Sequence, residues 1–260
     1  MRAFALRSSA LPRLVVAAGA ILVAAACESA PKPPEAGPAA ASAPAAQQAP
    51  VAPPKPKGMP ELLVDSMGPY LGGQRVNLAQ KDGAERLAKV IRALPIDGKP
   101  VTLLAEKKAK VSAVAAVVTE LGAAGAPKVT IKTDGRDDLP KEITVVPEGS
   151  VSKPPACAVS TMVLKDLATA IWPFGGGMGK RQRKGLAGPD LSNTGEQLSR
   201  DIAACKASVA FFSADDEVPW EMAHNLAGTV LASDKKKKLD TLVLLRVAPV
   251  AGRPVQLGGG

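Results

Sequence analysis

Aromatic side chains are scarce in this chain: four phenylalanines, two tryptophans and one tyrosine, 3% of 260 residues. Such a core must be built from small and aliphatic residues, and the stacking platforms of single-strand nucleic-acid binders are missing. Histidine occurs once, at His224, with no second histidine or cysteine at ligand spacing, so a zinc site cannot be assembled around it. No Gly-x-Ser-x-Gly elbow accompanies it, which removes the usual marker of a serine hydrolase. Long apolar runs are also wanting. The longest, Leu14 to Ala26, is thirteen residues, too short to span a bilayer comfortably.

What is present begins with charge: a formal +9, of which Arg2, Arg7 and Arg13 precede the apolar run. Together they form a basic region, an apolar region and a small-residue end, the pattern of an export signal. Ala24, Ala25 and Ala26 before Cys27 resemble the lipobox of bacterial lipoproteins, with Ala24 where Leu is usual. The resemblance implies cleavage before Cys27, acylation of its thiol and attachment to a membrane. With Cys27 so used, Cys157 and Cys205 remain as an even pair in an oxidising compartment, where a disulfide between them is expected. Two buried thiols that never meet are the alternative.

From Glu28 to Gly58, 19 of 31 residues are Pro or Ala, the composition of a stiff linker. Folded sequence follows. An apolar run, Glu61 to Ser66, ends in Met67-Gly68-Pro69, and Arg75 to Leu78 reads as its partner strand. Asp82 with Glu85 opens a helix carrying Leu87, Val90, Ile91 and Leu94, closed by Pro95. A strand over 101–106, a helix with Val111, Val114, Val118 and Leu121 inward, and strands over 128–133 and 142–146 complete the first half. The second half repeats the order. Two strands within 157–172 lead to a Gly-rich connection, a helix opened by Thr194 and Gln197, a strand over 208–214, a helix over 219–232 and a final strand over 241–247. Gly83 to Leu94 lies over Gly195 to Cys205, and Ala105-Glu106 over Ala214-Asp215. The fold class expected is α+β: two tandem small modules, each a short mixed sheet with two helices on one face. The boundaries are 1–26 signal peptide, 27–58 linker, 59–150 and 151–250 modules, and 251–260 flexible tail.

Two stretches carry a family resemblance: ELLVDSMGPYLGGQRVNL from Glu61, and VTLLAEKKAKVSAVAAVVTELGAAGAPKVTIKT from Val101. They resemble the opening strands, acidic corner, helix and final strand of the periplasmic domain of ExbD and TolR proteins, partners of proton-driven envelope motors. FFSADDEVPWEMAHNLAGTVL and KLDTLVLL fit the same places in the second half. The resemblance implies a periplasmic, lipid-anchored binding or accessory module of a biopolymer-transport system in a Gram-negative envelope, with motor or transport proteins or peptidoglycan as partner. It also leaves room for a homodimer. The motor members carry a membrane-embedded aspartate, and Leu14 to Ala26 contains no acid, so the proton site is missing. A structural peptidoglycan-binding lipoprotein without a motor partner is the alternative.

Among candidate sites, FGGGMGKRQRKGLAG, Phe174 to Gly188, has phosphate-loop composition but the wrong spacing: Phe174 stands where a P-loop needs its first glycine, and Arg181 where it needs Ser or Thr. Lys180, Arg181, Arg183 and Lys184 are read as the basic tip of a mobile connection, with contact to an anionic partner as the functional alternative. Nucleic acid is not expected. Asp215, Asp216 and Glu217 stand at a helix start, where the dipole favours acids, and lack calcium-loop spacing. Lys235 to Lys238 reads as a solvated loop. No catalytic residue, metal or cofactor is expected.

Overall fold

The computed structural model describes residues 58–258. The expected export signal, Cys27 and the expected linker up to residue 57 lie outside the described residues, as do 259 and 260. The first half runs β1 (Leu62–Asp65), β2 (Gly68–Leu71), β3 (Gln74–Arg75), α1 (Gly83–Arg92), β4 (Val101–Ala105), α2 (Val111–Ala123), β5 (Val129–Lys132) and β6 (Glu142–Val145). A 3-10 turn, Glu148–Ser150, leads to β7 (Val159–Val163), β8 (Thr169–Pro173), β9 (Lys180–Gln182), α3 (Leu191–Ala204), β10 (Val209–Ala214), α4 (Trp220–Ser233) and β11 (Thr241–Leu244). The fold is α+β with two mixed sheets, in the orders β3-β2-β1-β4-β5-β6 and β11-β10-β7-β8-β9.

Apart from β6, the halves share one plan. An antiparallel meander of three strands is followed by a helix, a strand parallel to the first, a second helix and a further parallel strand. Even single hydrogen bonds repeat: Glu106 N donates to Val64 O, and Asp215 N to Val163 O, both at 2.9 Å. That pair fixes which residues correspond, and it supports the strand alignment read from the sequence. In the first helices, burial matches Leu87 with Leu198 and Ile91 with Ile202, one residue out of step with the glycine-on-glycine alignment.

Local chemistry accounts for the elements. At the β1–β2 turn, Asp65 accepts from Met67 N at 2.7 Å and pairs both oxygens with Arg75 at 2.7 Å, so β3 is tied back to the turn. The Arg75 guanidinium holds the Asp65 carboxyl below the usual carboxylate range. Gly72 and Gly73 take φ of 56° and 82° between β2 and β3, as a two-residue hairpin requires. Tight packing explains Gly122, because a Cβ there would come within 2.3 Å of Pro147. Arg75 to Leu78 is thus not the partner of β1; the preceding Gly68–Leu71 takes that place, because the turn at Ser66-Met67 returns the chain at once. Likewise α3 is opened by Asp190, whose carboxylate accepts from Asn193 N, while Thr194 sits inside the first turn and donates to Asp190 O at 2.6 Å.

The two halves meet along α2, α4 and β6 and share one apolar core. Val146 N donates to Leu242 O, which brings the end of β6 against β11. A single antiparallel bridge joins Lys110 to Pro219. Lys110 lies four residues after Glu106 and Pro219 four after Asp215, so the bridge pairs equivalent positions across an approximate twofold axis. Trp220 adds a cross-link by donating its indole N–H to Thr133 Oγ1 at 2.8 Å.

Away from the helices the two sheets differ. In the first, Tyr70, Thr102, Lys132, Glu142 and Thr144 are exposed. In the second, a separate core of Met162, Trp172, Phe211, Val243 and Leu245 lies under the C-terminal segment, where Val255 is 5% exposed. Trp172 Nε1 donates to Arg253 O at 3.0 Å and Val255 N to Phe174 O at 2.9 Å. Glu148, itself buried, accepts from the backbone of Arg246 at 2.8 Å and also from Gly258. Residues 251–258 are therefore packed where the sequence reading expected a flexible tail.

Candidate functional site

Each half places a groove between its meander and its first helix, and eight lining positions of the two correspond. In the first, of about 790 Å³, Gly58 and Pro60 lead into β1, Leu71 and Gly72 end β2, Gln74 opens β3, and Val90, Ala93 and Leu94 come from the last turns of α1. In the second, of about 300 Å³, the same positions hold Cys157, Val159, Ile171, Trp172, Lys180, Asp201, Ala204 and Cys205.

The difference in volume has a visible cause. Cys157 and Cys205 form a disulfide with a Cα–Cα distance of 5.7 Å, the pairing expected from the cysteine count. Lys180 Nζ pairs with Asp201 at 2.7 Å. These two links tie the meander to the helix. Their counterparts are Gly58 with Leu94, and Gln74 with Val90, residue pairs that cannot form a disulfide or an ion pair. The first groove is therefore the wider of the two. Its walls are mainly apolar, Arg86 and Lys89 are its charged members, and no acid lines it. Arg86 donates to the neutral side chain of Gln80 at 2.9 Å, which leaves its charge unneutralised.

The basic residues singled out in the sequence are divided by the fold. Lys180 and Arg181 belong to β9, an edge strand inserted into what the sequence read as an unstructured connection. Lys180 is committed to Asp201 and Arg181 to Asp166. Arg183 and Lys184 are exposed beyond the strand and form no ion pair among the described residues. Lys180 and Arg181 thus each face an acid at the surface, while Arg183 and Lys184 do not.

His224 is 1% exposed on α4, with its ring edge-on to Trp220 at 6.0 Å. Neither ring nitrogen has a hydrogen-bond partner, and burial pushes its pKa down to about 4. The imidazole is neutral and enclosed near Gly135, where a Cβ would lie 3.4 Å from Nδ1. Glu217 pairs with Lys165 at 2.5 Å, and Asp215 accepts from Glu217 N, so that acidic corner is engaged structurally. Among the described residues no three His, Cys, Asp or Glu side chains gather as metal ligands do. Lys235, Lys236 and Lys237 are exposed in the turn after α4.

Comparison with protein-family models, curated proteins and solved structures finds no match. The site must be judged on its own chemistry. Sequence reading missed the first groove because Leu71, Val90 and Leu94 look like ordinary core residues. The available signal was the pair of cysteines, which have Gly58 and Leu94 at the corresponding places once the strands are in register.

Proposed function

We propose that this protein is a non-enzymatic, lipid-anchored periplasmic binding or accessory component of a biopolymer-transport envelope system related to ExbD and TolR. The observation that carries the reading is the wider, basic groove in one of two modules that share a plan. The first module keeps a wider apolar concavity than its twin, whose meander and helix are tied together by a disulfide and an ion pair. The repeated meander, helix, strand, helix, strand order agrees with the ExbD/TolR resemblance, and an acylated Cys27 followed by a Pro/Ala-rich linker would hold the modules away from a membrane.

The test is cross-linking in living cells followed by affinity capture of the tagged full-length chain, with recovered proteins and muropeptides identified by mass spectrometry. Recovery of motor or transport subunits supports the proposal. Recovery of muropeptides alone overturns it in favour of a cell-wall lipoprotein, for which exposed Arg183 and Lys184 offer contacts to peptidoglycan carboxylates.

A further inference from the structure

The first groove has a definable ligand chemistry. Its floor is built by Leu71, Val90 and Leu94, and Leu71 is fully buried beneath the surface that the other two share. Pro60 and Pro95 close the end nearest the start of β1. Neither proline can donate a backbone hydrogen bond, so this end offers an incoming chain apolar contact. Along the helix side run Arg86 and Lys89, one turn apart on the same face of α1. Neither forms an ion pair among the described residues, whereas the second groove answers its own lysine with Asp201.

The second groove shows how the same walls behave when satisfied internally. There the disulfide takes the position of Gly58 and Leu94, and the Lys180–Asp201 pair neutralises the charge. The first groove lacks both the bridging group and the acid. Its complement is an apolar side chain together with a carboxylate, supplied from outside.

We infer that the first groove binds an extended segment of a protein partner in which apolar side chains are flanked by Asp or Glu. An apolar side chain of the segment sits on Val90 and Leu94, with Leu71 beneath them, and its carboxylates face Arg86 and Lys89. An extended segment can pass between the end of the β2–β3 hairpin and the flank of α1, the two elements that line the groove. The inference rests on the binding-module reading and specifies where the partner is held and what it must carry.

The experiment uses the full-length chain labelled with nitrogen-15 and two blocked pentapeptides, acetyl-DLVLE-amide and acetyl-KLVLK-amide. Addition of the acidic peptide is expected to shift the amide signals of Leu71, Gly72, Val90 and Leu94 saturably and to leave those of Ile171 and Ala204 in place. The basic peptide should bind about tenfold more weakly, and added salt should weaken the acidic one. In the double variant Arg86→Glu/Lys89→Glu the preference should reverse, with the spectrum of the second half unchanged as the check on folding. Lys89→Gln provides a milder variant, expected to weaken the acidic peptide alone. Absence of saturable shifts in the groove, equal affinity for both peptides, or shifts centred on Arg183 and Lys184 would overturn the inference. Failure of this inference is separable from failure of the broader proposal. If the Arg86→Glu/Lys89→Glu chain still captures transport subunits in cells, the groove is not their site and the functional reading stands; if peptides bind but no transport subunit is captured, the reverse holds.

Discussion

The two halves of the molecule have the same strand order and the same hydrogen bonds at their acidic corners, yet they treat their surfaces in opposite ways. The first half leaves one sheet face in water and keeps a wide groove; the second covers the face with its own C-terminal segment and narrows the groove with two cross-links. Side chains follow this division at equivalent positions. Thr102, Thr130 and Lys132 line the open face where Phe211, Val243 and Leu245 line the covered one. Topology is therefore set by the apolar residues facing the helices, and the opposite face is free to be specialised.

Exchanging residues between halves should break the contrast most severely where burial is deepest. Phe211→Thr, which places the first half's residue in the second, removes a fully buried ring and leaves a void, and should lower stability by about 4 kcal/mol in denaturant unfolding. Reduction of the Cys157–Cys205 bond releases a loop of 48 residues; the expected loss is also about 4 kcal/mol, read as a lower unfolding midpoint in the presence of reductant.

A pH effect comes next. Because the native His224 resists protonation down to about 4 while an unfolded histidine takes a proton near 6.5, the unfolded state binds more protons between those values. Stability should therefore fall by up to roughly 3 kcal/mol as pH drops through that window. His224→Leu should remove this slope in equilibrium unfolding measured at successive pH values. Ala115 stands at the equivalent place on α2, so the first half has no counterpart of this buried imidazole.

Two smaller effects concern the covered and open faces. Glu148→Gln weakens the hold on the backbone of Arg246 and Gly258 and should cost about 2 kcal/mol, with faster hydrogen exchange at Val255 as the local readout. Thr102→Phe, the reverse of the first exchange, should change unfolding free energy by less than about 0.5 kcal/mol. Its signature would be self-association in sedimentation, since it adds an aromatic ring to an exposed sheet face.

Much of this arrangement was legible in the sequence. The alternation in KVTIKT marks a half-buried strand, whereas VTLLA reads as a buried strand although Thr102 stands in water; VAFFSA reads as a strand, and the structure buries it on both faces. The repeat was legible too, through Ala105-Glu106 and Ala214-Asp215. Other features were hidden because they depend on pairing across long separations. No local pattern announces that Glu148 will meet Gly258, or that Gly58 and Leu94 stand where cysteines stand in the other half. The Gly-rich stretch misled for a related reason: β9 is an edge strand held by β8, and its Lys180 and Arg181 are neutralised by acids distant in sequence. The tail misled because three terminal glycines outweighed Val255 and Leu257, whose role is set by the sheet beneath them.

The bridge between Lys110 and Pro219 has a consequence for how such a pair of modules can diverge. Two identical subunits meeting at this axis would assemble only as fast as their concentration allowed, and any change to one would be copied in the other. With both on one chain, pairing is unimolecular and independent of protein abundance. The covalent link also permits inequality. One half can serve as a rigid, oxidised counterpart that holds its neighbour in shape, while the neighbour keeps the surface on which selection for a partner can act.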